Sequence, residues 1–201
     1  MLFRSLVGRA LMAELAARKS DVRGAVRHPG AILPGCECVV VGEVSGNTDW
    51  HEALAGATAV VHLAARAHIT HETAEDSLAV FRTINTEGTL NLARQAAQAG
   101  VRRFVFVSTI KVNGEGREAP YTEIDVPAPE DAYAVSKWEA EQGLRDIAAQ
   151  TEMEILILRT PLVYGPGVGA NFLRLLTVID AGWPLPLGGI VNCRSLIYLG
   201  N

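Results

Sequence analysis

Four short apolar runs limit what this chain can become: CVVV at 38–41, AVVHL at 59–63, FVFV at 104–107 and ILIL at 155–158. Runs of this kind, lacking the alternation of a half-exposed strand, suit strands buried on both faces of a sheet. The stretches between them carry helical spacing. The pattern predicts helices over about 7–19, 49–54, 75–99, 131–150 and 171–181, with further strands over 21–26 and 195–199. Gly100 stands where a left-handed residue would end the long third helix, and Asp131 where a side chain would cap the fourth. Loops rich in Gly and Pro cover 113–129 and 161–169. Buried strands alternating with helices predict an α/β fold, a Rossmann-like doubly wound parallel sheet with helices on both faces. Ligands of such sheets bind beyond the C-terminal strand ends. Leu63 to Arg66, Ser108, Thr109 and the loop from Arg159 to Gly165 all fall there.

Several classes of function are excluded. The net charge is -4 and the basic residues are scattered, so no stripe suits nucleic acid. No segment approaches the run of about 20 apolar residues that crosses a membrane. The N-terminus bears arginines and has no acid before Glu14, as transit peptides do. Val7, Leu11 and Leu15 nevertheless recur at helical spacing before a strand, which favours a domain helix. Cys36, Cys38 and Cys193 are odd in number and lack CxxC spacing, which predicts reduced structural thiols and a cytoplasmic setting. His62, His68 and His71 lack the spacing of zinc ligands, so no metal is expected.

The stretch DAYAVSKW at 131–138 places Tyr133 and Lys137 four residues apart in a helical pattern, on one face. An ammonium beside a phenol favours phenolate, lowering a pKa near ~10 towards the range of a general base. The plainer reading is a half-buried tyrosine and a solvated lysine.

Five ordered motifs surround that pair: HLAA at 62–65, NTEGTLNL at 85–92, FVFVST at 104–109, YAVSK at 133–137 and LRTPLVYGPG at 158–167. Together they resemble the extended short-chain dehydrogenase/reductases, in particular the NAD-dependent epimerase/dehydratase family of nucleotide-sugar enzymes. Bacterial UDP-glucose or UDP-N-acetylglucosamine 4-epimerases and 4-keto-sugar reductases are the nearest in pattern. The resemblance makes Tyr133 the general base, Lys137 its electrostatic partner and a ligand of the nicotinamide ribose, and Thr109 a hydrogen-bonding partner of the sugar 4-oxygen. Ser108 stands beside Thr109, and Asn85 matches an asparagine near the active site. It also implies that Leu63, Ala64 and Ala65 line the cofactor groove, that Glu43 and Val44 flank adenine, and that Pro161 and Val163 lie along the cofactor. Asn171 and Arg194 would face the diphosphate of a UDP-sugar. Each has a structural alternative: strand-end capping for Ser108 and Thr109, a buried amide for Asn85, a helix N-cap for Asn171, an exposed loop arginine for Arg194.

Three departures qualify the resemblance. Of the family's GxxGxxG loop only Gly8 remains, so the chain is expected to lack the first strand and Gly-rich loop, to stop within a small substrate lobe, and to bind dinucleotide weakly or not at all. The division expected is 1–165 for the incomplete dinucleotide domain and 166–201 for the start of the lobe. Arg27 occupies the place of the acid that bonds the adenosine ribose in NAD enzymes, leaving NADP as an alternative to NAD. Ile110 and Lys111 replace the Asp-Glu pair that follows the catalytic threonine in 4,6-dehydratases, which sets dehydration aside. The expected function is a nucleotide-sugar 4-epimerase, a homodimer when intact. The alternatives are a 4-keto-sugar reductase, a hydroxysteroid-type dehydrogenase, a non-catalytic dinucleotide-binding protein and an inactive fragment.

Overall fold

The computed structural model describes residues 5–30, 36–67, 74–117, 119–185, 189 and 194–201. They form two compact units, Met1–Arg159 and Thr160–Asn201.

The first unit opens with α1 (Leu6–Ala17), rich in Leu and Ala and capped by Ser5, whose Oγ accepts from Gly8 N at 3.0 Å. Strands β1 (Arg23–Val26) and β2 (Glu37–Val40) pair in parallel, Arg23 opposite Glu37. After the short α2 (His51–Leu54), β3 (Ala59–His62) pairs in parallel with β4 (Arg103–Thr109), and β5 (Glu154–Thr160) lies beyond β4. Among the described residues these make one two-stranded and one three-stranded sheet, with no ladder between β1 and β3. Parallel strands with flanking helices make the fold Rossmann-like. The burial on both faces that the apolar runs predict is not observed, since Val40, Val61, Leu156 and Leu158 of those runs are exposed.

The third helix differs from the expectation of one regular helix over 75–99. It consists of α3 (Ala74–Phe81), a π-helical turn (Arg82–Glu87) and α4 (Gly88–Gln98). Asn85 lies inside the π turn. Gly100, at φ +77°, closes α4 as expected. The helix α5 (Ala132–Gln150) starts at Asp131, whose Oδ1 accepts from Ala134 N at 2.6 Å. The core lies between the face of β4 that bears Phe104 and Phe106, both fully buried, and Leu92, Ala93, Ala96, Ala140 and Leu144 of α4 and α5. The two helices meet at Gly143, where a Cβ would stand 2.6 Å from Leu90 Cδ2.

The second unit holds β6 (Leu162–Tyr164) paired in parallel with β7 (Leu196–Tyr198), and α6 (Ala170–Asp180) between them in sequence. β6 falls within a stretch expected to be loop. Its three residues are too few to show periodicity between Pro161 and Gly165. No helix among the described residues is long and apolar enough to cross a membrane.

Candidate active site

Helical spacing sets Tyr133, Lys137 and Glu141 in a row along α5. Lys137 is 1% exposed, and its Nζ lies 3.8 Å from the Phe106 ring centroid. No described residue accepts a hydrogen bond from it. Burial lowers its pKa from 10.5 to about 7, against the pull of the Glu141 charge. Tyr133 is half-buried and meets Phe81 edge-on, centroids 5.9 Å apart. Its pKa is raised, chiefly by burial and also by Asp131, while Lys111 pulls it down. The lowering expected from Lys137 is therefore reversed in direction. The ammonium is itself weakened by burial and lies against Phe106, so desolvation of the phenol wins.

Lys111 Nζ bridges Asp131 Oδ2 at 2.7 Å and Glu115 Oε1 at 2.8 Å, and both bonds raise its pKa. The cation that acts on Tyr133 thus comes from the loop after β4.

Ser108 and Thr109 end β4 with different surroundings. Ser108 is buried, and its Oγ donates to Glu141 Oε1 at 2.6 Å. Thr109 is half-buried and caps a 3₁₀ turn (Ile110–Val112), accepting from Lys111 N at 3.3 Å. Its hydroxyl hydrogen has no acceptor among the described residues.

Asn85 is fully buried and fully engaged. Its Oδ1 accepts from Arg66 N at 2.9 Å, and its Nδ2 donates to Arg66 O and Ser136 Oγ, each at 3.0 Å. Ser136 Oγ in turn donates to Tyr133 O at 2.7 Å. The π turn thereby braces the helix start that carries Tyr133 against the segment after β3. His62 is buried, shares a 3.0 Å bond between Nε2 and Thr89 Oγ1, and stacks on Phe106 with centroids 5.9 Å apart. Burial, aided by Lys137, lowers its pKa to about 3.

The residues expected to hold the cofactor are spread more widely. Gly8 is buried in the first turn of α1. Arg27 Nε pairs with Glu43 Oε2 at 3.1 Å. Val44 and Ala64 belong to the core, with Leu63 half-buried and Ala65 exposed. Val44 lies under Gly88, where a Cβ would approach Val44 Cγ1 to 2.7 Å. In the second unit Pro161 and Val163 are half-buried, and Asn171 and Arg194 are exposed. Asn171 is the second residue of α6, whose N-cap is Gly169, so it is not the plain cap weighed for it. Among the described residues no three His, Cys, Asp or Glu side chains are grouped as metal ligands; His68 and His71 lie outside the described residues, as does Cys193. Burial and Cys38, whose Sγ is 3.9 Å away, push the Cys36 thiol up to about 11.

Sequence reasoning missed Glu141 and Asn113, and named Arg159 only as the start of a strand-end loop. Arg159 Nη2 donates to Glu141 Oε2 at 2.7 Å, and Arg159 Nη1 to Asn113 Oδ1 at 3.1 Å. The available signal was the third step of the row, four residues beyond Lys137.

A Tyr-x-x-x-Lys helix packed on the strand that ends in Ser-Thr, in a parallel Rossmann-like sheet, defines a short-chain dehydrogenase/reductase. The model of the "NAD dependent epimerase/dehydratase family" matches residues 3–186, and the chain belongs to that family. It is 45% identical over 186 residues to a UDP-glucose 4-epimerase of Vibrio cholerae, covering 91% of this chain and 55% of the relative. It is 30% identical over 167 residues to the N-acetyl-alpha-D-glucosaminyl-diphospho-ditrans,octacis-undecaprenol 4-epimerase of Escherichia coli O157:H7, covering 82% of this chain and 49% of the relative. Among solved structures, MoeE5 in complex with UDP-glucose and NAD superposes with a TM-score of 0.77 at 26% identity, over 98% of this chain and 65% of that one. The chain thus spans about half the length of the curated relatives it matches.

Proposed function

We propose that this chain carries the acid–base site of a nucleotide-sugar 4-epimerase that uses NAD and a UDP-hexose. The observation that carries the reading is Lys137: a buried ammonium with no acceptor among the described residues, one helical turn from Tyr133 and on the same face. A largely buried cation with no acceptor among the described residues fits the hydroxyls of a cofactor ribose. The 45% identity to a UDP-glucose 4-epimerase supports the same assignment.

Lys137 would hold the nicotinamide ribose, with Gly8, Leu63, Ala64 and Ala65 along the dinucleotide. Arg27 is engaged by Glu43, so a 2′-phosphate would have to displace a carboxylate, which favours NAD over NADP. Asn171 and Arg194 would take the diphosphate. When bound, the nicotinamide would supply the hydride acceptor and donor for the sugar C4. Tyr133 would accept the proton of the 4-hydroxyl as that carbon is oxidised to a ketone, and would give it back as the ketone is reduced. Thr109 donates its free hydroxyl hydrogen to the 4-oxygen. Because burial holds the Tyr133 proton, the phenol becomes a base only when positive charge enters the site.

The raised Tyr133 pKa also favours a second reading, a 4-keto-sugar reductase, in which a protonated phenol only donates. Incubation with UDP-glucose and NAD, and in a second reaction with a UDP-4-keto-hexose and NADH, separates the two. An epimerase produces the galacto epimer without net consumption of cofactor; a reductase consumes reduced cofactor in proportion to a keto sugar. Tyr133→Phe should leave ligand-induced thermal stabilisation in place and lower turnover by about 10²–10⁴-fold. Undiminished turnover in that variant would refute the assignment of Tyr133. A nucleotide-sugar enzyme of this kind is expected to work in the cytoplasm.

A further inference from the structure

One turn beyond Lys137, α5 buries a carboxylate. Glu141 is 0% exposed and accepts from Ser108 Oγ at 2.6 Å, from Arg159 Nη2 at 2.7 Å, from Arg159 Nε at 3.1 Å to each oxygen, and from Arg145 Nη2 at 3.2 Å. These partners come from the end of β4, the end of β5 and α5 itself. Burying such a charge gives little net stability even when it is well paired, and an apolar side chain would pack as well. The contacts therefore point to a task other than packing.

We propose that Glu141 is a positioning residue of this site: it claims the Ser108 hydroxyl, leaving Thr109 as the donor to substrate, and it sets a negative charge one helical turn from Lys137. The inference rests on the roles given above to Thr109, Tyr133 and Lys137.

The first half follows from counting hydrogens. A serine hydroxyl has one to donate, and Ser108 gives it to Glu141. Thr109, the next residue, points to the other side of the strand, and its hydrogen is uncommitted among the described residues. Glu141 thus holds the Ser108 hydroxyl and keeps it from acting on substrate. The second half follows from the groups that face Lys137. These are Glu141 on its own helix, Phe106 on β4, and His62 on β3, with Tyr133 one helical turn back along α5. His62 is neutral near pH 7, its pKa being about 3, and Tyr133 keeps its proton. Glu141 is then the anion acting on Lys137 among the described residues, while Arg159 and Arg145 are directed at Glu141.

The chain has three lysines, Lys19, Lys111 and Lys137, so selective labelling of lysine ε-carbons gives three resolvable NMR titrations. Glu141→Gln should lower the Lys137 midpoint by about one pH unit or more. Glu141→Asp, which keeps the charge, and Ser108→Ala, which removes only the hydroxyl, should leave it near the wild-type value. Glu141→Gln strands the Arg159 guanidinium and can fail to fold. Glu141→Gln combined with Arg159→Met removes both buried charges, and should show the same downward shift. An unchanged midpoint in the folded variants overturns the proposal, and so does failure of both to fold, which would make Glu141 purely structural. In turnover, Glu141→Gln should lower kcat with little change in KM, and Ser108→Ala should retain most activity while Thr109→Val does not. Equal losses in Ser108→Ala and Thr109→Val would overturn the donor assignment. The Lys137 titration needs no turnover, so a chain that shows the shift but epimerises nothing refutes the proposed function alone.

Discussion

Lys137→Met should make the protein more stable, and by an amount that depends on pH in a defined way. The folded lysine has a pKa of about 7, against 10.5 for the ordinary side chain. At ~1.36 kcal/mol per unit, that difference is a penalty on the order of 5 kcal/mol for holding the charged form in the fold. The Phe106 ring, 3.8 Å from Nζ, offsets part of the solvation lost, and methionine gives up that contact. A desolvated cation–π contact contributes roughly 2 kcal/mol, so the net gain expected is about 3 kcal/mol. Methionine is unbranched, similar in length and adaptable in a core, so the substitution adds little strain.

The sign follows from which state holds the proton. Below about pH 7 both folded and unfolded lysine are charged, and the wild type bears the whole penalty. Between about pH 7 and 10.5 the folded lysine is neutral while the unfolded one is still charged. The unfolded state then binds more protons, so wild-type stability rises by ~1.36 kcal/mol per pH unit and the advantage of methionine shrinks. Above 10.5 both states are neutral and the electrostatic penalty is gone. Urea unfolding of the two proteins at about pH 6, 8 and 10 measures the gap directly, since every other group is common to both. A methionine variant less stable than wild type near pH 6, or a gap that does not narrow by pH 10, would refute the reasoning. The same variant should lose cofactor-dependent stabilisation, because the cation that destabilises the core is the one assigned to the ribose.

Two further predictions concern the supports of the site. The folded His62 has a pKa of about 3 against 6.5 for the free side chain, so stability should fall as pH drops below about 6.5, when only the unfolded chain takes the proton. His62→Gln retains a partner for Thr89 and removes this slope; an unaltered decline between about pH 6 and 4 would show that another group titrates. Gly143→Ala brings a Cβ within 2.6 Å of Leu90 Cδ2 and should cost about 1–3 kcal/mol in urea unfolding. Adding Leu90→Ala should recover part of that loss, and no recovery would place the strain elsewhere.

The strands were legible because the apolar runs 38–41, 59–63, 104–107 and 155–158 all fall within or beside β2 to β5. The Tyr133–Lys137 pair was legible because helical spacing alone sets it on one face. Other features depend on tertiary packing. A π turn changes the hydrogen-bond step without changing composition, so 82–87 reads as ordinary helix. A glutamate within a helix reads as a solvated face, and the partners that bury Glu141 stand 33 and 18 residues away. The direction of the Tyr133 shift is hidden from the sequence for the same reason. Spacing shows which charge is near, but not how much water has left.

The helix that contains the π turn explains how the two halves of the site are kept in register. Asn85 and Thr86 grip α5, through Ser136 Oγ at 3.0 Å and Ser136 O at 2.8 Å. Further along, Asn91 Nδ2 and Gln95 Nε2 donate to Thr48 O at 2.7 and 2.9 Å, and Gln95 Oε1 accepts from Trp50 N at 2.8 Å. Those bonds hold the loop that follows β2, where Glu43 pairs with Arg27. Six residues separate Asn85 from Asn91, about 240° around a regular helix, so one rod addresses α5 and that loop with different faces. The acid–base residues and the candidate adenosine-side residues belong to sheets that share no ladder among the described residues. Their alignment is then carried by side-chain amides on this helix. A change at Asn91 or Gln95 would loosen that loop while leaving Tyr133, Lys137 and Thr109 untouched.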